Sequence, residues 1–117
     1  MAHLELLVED VIINKWELND EVIILGRAKD CDIQIDDQSV SSKHARVVAE
    51  DDEYLQGNRN YYIEDLKSTN GTELNGQPAL KEKLSDGDLL KIGFTQFRFI
   101  ENQSDDLDQT AVIIQND

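Results

Sequence analysis

The fold this sequence predicts is an all-β sandwich, and three observations carry the prediction. Short apolar runs rich in Val and Ile recur about ten times along the chain. Turn residues separate them at intervals of roughly 8–12 residues. No stretch carries the apolar period of an amphipathic helix. Two sheets packed face to face satisfy such a pattern, because each strand then hides one face and wets the other.

Taken in order, residues 4–8 are apolar almost throughout, and Val11, Ile12 and Ile13 follow the acidic step Glu9-Asp10. Both runs read as strands, being too short for helices. Trp16 and Leu18 alternate with polar neighbours, and Asn19-Asp20 marks a turn. Glu21-Val22-Ile23-Ile24-Leu25 is a further strand that stops at Gly26-Arg27. Residues 30–36 alternate strictly and set Cys31, Ile33 and Ile35 on one face. After a polar loop comes the strand from His44 through Ala45, Arg46, Val47 and Val48 to Ala49. A polar connection over residues 51–60 leads into Tyr61-Tyr62-Ile63-Glu64-Asp65. Asn75-Gly76 is the strongest two-residue hairpin signal, because both turn positions need positive φ. The type of element over residues 80–84 stays open. Ser85-Asp86-Gly87-Asp88 turns the chain into Leu89-Leu90-Lys91-Ile92, Gly93 punctuates, and Thr95-Gln96-Phe97-Arg98-Phe99-Ile100 closes the apolar pattern.

Residues 101–117 differ in kind. They are acidic and polar apart from the island Ala111-Val112-Ile113-Ile114, which follows Thr110. The expected division is a folded domain over residues 1–100 and a flexible acidic tail over 101–117, with one segment able to dock.

Composition narrows the function. The chain has 117 residues, enough for one core, and carries 25 acidic against 11 basic side chains for a net charge of −14. That balance argues against nucleic acid or an acidic membrane as partner, since binding to either depends on basic surface. Any anion must be caught by a local cluster of donors working against the overall field. No apolar run approaches the roughly 20 residues of a membrane span, and the N-terminus shows no secretory pattern. Cys31 is the single cysteine, so a cytoplasmic setting is expected and Cys31 reads as a small buried hydrophobe.

Such a donor cluster is visible in Ser41-Ser42-Lys43-His44, where two hydroxyls, an ammonium and an imidazole fall within four residues. Hydroxyls and backbone N–H groups turned outward beside a cation suit a phosphate. Three further motifs accompany it in fixed order. They are Gly26-Arg27 at a strand end, Asp65-Leu66-Lys67-Ser68-Thr69-Asn70-Gly71-Thr72 with Asn75-Gly76, and Asp86-Gly87-Asp88 ahead of Lys91-Ile92-Gly93. Together they make the chain resemble a forkhead-associated domain over about residues 3–100.

The resemblance implies a β-sandwich of about eleven strands whose loops at one end bind a phosphothreonine peptide, without catalysis and without a cofactor. Carried over residue by residue, Arg27 is expected to contact the phosphate with its guanidinium. Ser41 would donate its hydroxyl, Ser42 its backbone N–H, and Lys43 a longer-range attraction. Thr69 would finish the phosphate pocket, while Asn70 would hold the ligand main chain. Gly26 closes the strand ahead of Arg27, His44 braces the loops from below, and Gly71 permits the sharp turn. Asn75 either buttresses this loop or serves its own hairpin turn. A Ser41–His44 nucleophile pair has no third orienting residue and no Gly-x-Ser-x-Gly turn beside it. His3, His44 and Cys31 are too few and too scattered for a metal site. Partner choice in this family rests largely on the third residue after the phosphothreonine. Gln38, Ser39 and Val40 offer no arginine there, so an apolar residue is expected at that position.

The tail itself carries a candidate phosphorylation site. Thr110 follows Asp105, Asp106 and Asp108 and has Ile113 three places on, which suits both a Ser/Thr kinase and the expected pocket. Thr110 would then dock in its own mouth or in that of a second copy, making self-association through the tail an expectation; the other reading is an acidic tail serving solubility. The rival to phosphothreonine binding is a scaffold that docks a protein partner through the same loops or a sheet edge, independently of phosphate.

Overall fold

The computed structural model describes residues 2–55 and 57–101, and among these it holds eleven strands and no helix. In chain order they are β1 (Ala2–Val8), β2 (Val11–Glu17), β3 (Val22–Gly26), β4 (Ile33–Gln34), β5 (Ala45–Asp51), β6 (Arg59–Asp65), β7 (Thr72–Leu74), β8 (Gln77–Pro78), β9 (Lys81–Lys83), β10 (Leu89–Ile92) and β11 (Thr95–Glu101). Six form one sheet in the order β2-β1-β11-β10-β7-β8, and five form the other in the order β4-β3-β5-β6-β9. The predicted all-β sandwich of about eleven strands is what the chain adopts.

Alternation builds the core between the sheets. Ala45, Val47 and Ala49 of β5 point inward, as do Tyr61 and Ile63 of β6, Leu90 and Ile92 of β10, and Phe97 and Phe99 of β11. Two tilted ring pairs meet β11: Trp16 lies 5.9 Å from Phe97 and Tyr61 lies 5.6 Å from Phe99. Cys31, Ile33 and Ile35 are all buried as their alternation predicted, although only Ile33 and Gln34 gain strand pairing. Asn75 and Gly76 both take positive φ, 51° and 84°, and close the β7–β8 hairpin.

Two boundaries differ from expectation. Residues 80–84, left open by the sequence, contribute β9, whose three residues are all exposed at the border of the five-stranded sheet. Glu101, expected to begin the tail, pairs with Ala2 and donates its N–H to Asp86 Oδ1 at 2.8 Å. Thr110 and the island at 111–114 lie outside the described residues.

The sandwich has two distinct ends. At one, Leu7 pairs with Gln96, the Phe94 N–H reaches Ser39, and the Thr69 N–H reaches Ser41. The loops over residues 36–44 and 66–71 therefore share that end with the β1–β2 and β10–β11 turns. At the other end, Ala2 pairs with Glu101, and Leu18 donates to the Ala2 carbonyl.

Candidate functional site

The site is built where the end of β3 meets the loop before β5. Arg27 donates its N–H to the Ser41 carbonyl at 3.0 Å, and Ala28 donates to the Ser42 carbonyl at 3.1 Å. This approach is so close that a Cβ on Gly26 would stand 2.1 Å from the Ser42 oxygen, so only glycine fits. Gly26 thus sets the spacing, and Arg27 leaves the strand end exposed beside the two serines. Among the described residues no carboxylate is paired with the Arg27 guanidinium.

His44 ties this loop to the next. Its ring is fully buried, and Nδ1 accepts the Ser41 N–H at 3.0 Å. The ring proton therefore sits on Nε2, which donates to the Gly71 carbonyl at 2.8 Å. The His44 main chain adds two more ties, N–H to Leu25 O at 2.9 Å and carbonyl from Leu66 N–H at 2.9 Å. Both ring nitrogens are occupied by backbone, and neither meets the Ser41 hydroxyl. The imidazole braces the loops and is not placed to act as a base toward Ser41.

The second loop is shaped by Asp65. Its carboxylate accepts the Ser68 N–H at 3.1 Å, the Ser68 hydroxyl at 2.5 Å and the hydroxyl of the buried Thr72 at 2.7 Å. Burial raises the Asp65 pKa, but these hydrogen bonds and the nearby His44 outweigh it and hold the carboxyl below its usual range. Ser68 in turn accepts the Gly71 N–H at 3.0 Å, and Gly71 takes a φ of 85°. Thr69 is thereby lifted onto the rim, where its N–H donates to Ser41 Oγ at 3.0 Å. The Ser41 hydroxyl can accept this N–H and still donate its own proton to a ligand. Asp65 and Thr72 were quoted in the motif but given no role. The signal was present, since an Asp can accept the backbone N–H three residues on, as a capping residue does.

The rim continues past Ser39. Asn70 Nδ2 donates to the Ser39 carbonyl at 2.8 Å, and Ser39 Oγ donates to Asp37 at 2.6 Å while accepting the Phe94 N–H at 2.9 Å. Asn70 therefore spans the two loops and remains exposed. Phe94, 71% exposed, stands at the far side of Ser39 and was not singled out by sequence. Val40 is 1% exposed and is the apolar peg that seats this loop on the core.

Lys43 is exposed, but its ammonium lies 2.8 Å from Asp30, so part of its field is neutralised locally. Asn75 sits at the other end of β7, where its side chain bonds Asp88 at 3.0 Å and the Leu89 N–H at 2.9 Å. It serves the hairpin and the 85–89 turn and does not touch the 66–71 loop. The sequence-derived set is thus brought together at Arg27, Ser41, Ser42, Thr69 and Asn70, with Gly26, His44 and Gly71 beneath. These hydrogen bonds bring the stretches that carry Arg27, Ser41, Ser42, Thr69 and Asn70 to one end of the sandwich. No group of His, Cys, Asp or Glu able to hold a metal occurs among the described residues, nor does a helix long and apolar enough to cross a membrane.

Comparison with known proteins places the same features in a family. A family model described as the FHA domain matches residues 23–93. The oxoglutarate dehydrogenase inhibitor of Corynebacterium jeikeium is 34% identical over 87 residues, covering 74% of this chain and 54% of that protein. The glycogen accumulation regulator GarA of Mycobacterium tuberculosis is 32% identical over 87 residues, covering 74% and 48% respectively. This chain therefore spans about half the length of these curated relatives. An FHA domain solved in a study of phosphothreonine-dependent FHA interactions superposes with a TM-score of 0.72 at 27% identity, over 86% of this chain and 96% of that one. The FhaA FHA domain, solved in complex with the intracellular domain of another protein, gives 0.71 at 27% identity over 85% and 99%.

Proposed function

Because the chain belongs to the FHA domain family, we propose that it is a non-catalytic module that binds phosphothreonine peptides within Ser/Thr kinase signalling. One observation carries the reading: the Arg27 and Thr69 N–H groups donate at 3.0 Å to the carbonyl and the hydroxyl oxygen of Ser41, which His44 braces from beneath. A phosphothreonine presents a charge of about −1.5 to −2 and three strong acceptor oxygens. One guanidinium and the hydroxyls of Ser41 and Thr69 match that ligand, Ser42 adds its amide, and Asn70 faces the adjoining main chain. The exposed ring of Phe94 beyond Ser39 supports an apolar residue three places after the phosphothreonine. The partners are then phosphothreonine-bearing proteins and the kinase that modifies them.

The tail extends the proposal. Thr110, once phosphorylated, is a ligand for this mouth in its own or a second copy. From Glu101 the path back along the sheet to the mouth is about 20 Å, and nine residues reach about 30 Å, so both modes are within reach.

The deciding experiment is a pull-down with a phosphothreonine peptide library, using the natural chain and Arg27→Ala and Ser41→Ala variants. Retention that needs both the phosphate and the two side chains supports the reading. Equal retention of unphosphorylated peptides, indifferent to either variant, selects the scaffold instead.

A further inference from the structure

Among the described residues, the start of β2 carries an unbroken run of exposed apolar side chains. β2 borders the six-stranded sheet, with β1 on one side and no described strand on the other. Val11, Ile12 and Ile13 are 58%, 56% and 58% exposed, and Val8 across the turn is 51% exposed. Alternation fails here because the register slips: Leu6 pairs with Asn14 and Leu7 with Ile12, leaving Ile13 as an extra residue. Three apolar side chains in a row on an edge strand are what natural edges avoid unless something covers them.

The position of Glu101 bears on what could cover them. His3 pairs with both Ile100 and Glu17, so β11 and β2 finish at the same end with only β1 between them. A segment turning back after Glu101 along the open edge would run antiparallel to β2, the sense of every described pairing except β3 with β4. It must cross three strand spacings, about 14 Å, whereas the nine residues from Glu101 to Thr110 extend to about 30 Å. The residues that then arrive are Ala111-Val112-Ile113-Ile114, the one apolar island of the tail and largely β-branched.

We propose that in the unphosphorylated chain residues 110–114 add to the free edge of β2 as an antiparallel strand, laying Val112, Ile113 and Ile114 over Val11, Ile12 and Ile13. Apolar surface on both partners leaves water together, and the outer edge of β2 gains a pairing partner. The dock uses no phosphate and stands apart from the mouth, so it holds whether or not the binding reading does.

Hydrogen exchange on the full chain, with a free peptide of residues 102–117 as reference, tests it. The amides of residues 111–114 are expected to exchange at least about tenfold more slowly than in the peptide. Ile12→Asp, and separately Ile113→Asp in the tail, are expected to return them to the peptide rate. The second variant leaves residues 2–101 unaltered, and an unchanged urea midpoint is the check that its effect does not come from unfolding. Peptide-like exchange in the natural chain overturns the proposal. Protection that grows with protein concentration also overturns it, and assigns the edge to a second copy.

Discussion

Replacing His44 by alanine probes the device on which the mouth depends. The fully buried ring accepts from Ser41 at 3.0 Å and donates to Gly71 at 2.8 Å, so its loss strands one backbone N–H and one carbonyl from separate loops. Each buried polar group left without a partner costs about 1–3 kcal/mol, giving about 2–6 kcal/mol for the pair. Water entering from the mouth moves the result to the low end, and the emptied ring volume moves it up. Against a total of about 5–15 kcal/mol for a domain, that is a large loss. Urea denaturation reads it as a shift in midpoint at unchanged slope. Phosphopeptide affinity, measured where the variant is still folded, is expected to fall as well, because Thr69 is positioned through Ser41 and Ser41 through His44. A stability loss under about 1 kcal/mol together with undiminished affinity would refute the bracing role.

Other substitutions test single links. Gly26→Ala brings a Cβ within 2.1 Å of a backbone oxygen, and the strand end and serine loop must part; the expected cost is above about 3 kcal/mol, with binding lost even in the folded fraction. Arg27→Ala is expected to leave the urea midpoint unchanged and to weaken phosphopeptide binding by about 2–5 kcal/mol, read by calorimetry. Asp65 has its pKa lowered by folding, so its contribution is present above the ordinary carboxylate range and is lost as pH falls through the folded value. The gap in urea midpoint between the natural chain and Asp65→Ala is therefore expected to be widest near neutral pH and to close below about pH 4; a gap that widens on acidification contradicts the assignment.

Much of this was legible in the chain because alternation survives wherever both sheets cover a strand, as in the inward Val47, Ile63, Leu90 and Phe97. The residues of the mouth were legible for a different reason, since their types and order are those of a donor cluster between strands. The element at residues 80–84 stayed open because an exposed border strand such as Lys81–Lys83 has no apolar face to announce it. Val40 was given no role because one apolar residue inside a polar loop carries no period, and only its burial beneath Ser41 reveals it as an anchor. Phe94 follows a glycine in a short turn and looks like the end of an apolar run until its neighbour Ser39, 55 positions earlier, is placed beside it. Asn75 was correctly seen as a turn residue, while its bonds to Asp88 and Leu89 belong to tertiary structure that spacing alone does not show.

The most direct measurement is a backbone-amide NMR titration of the chain with a phosphothreonine peptide and its unphosphorylated twin. Saturable shifts are expected at Arg27, Ser41, Ser42, Thr69 and Asn70 with the phosphopeptide and none with the twin. Equal responses to both peptides, or shifts that bypass these five residues, would contradict the account.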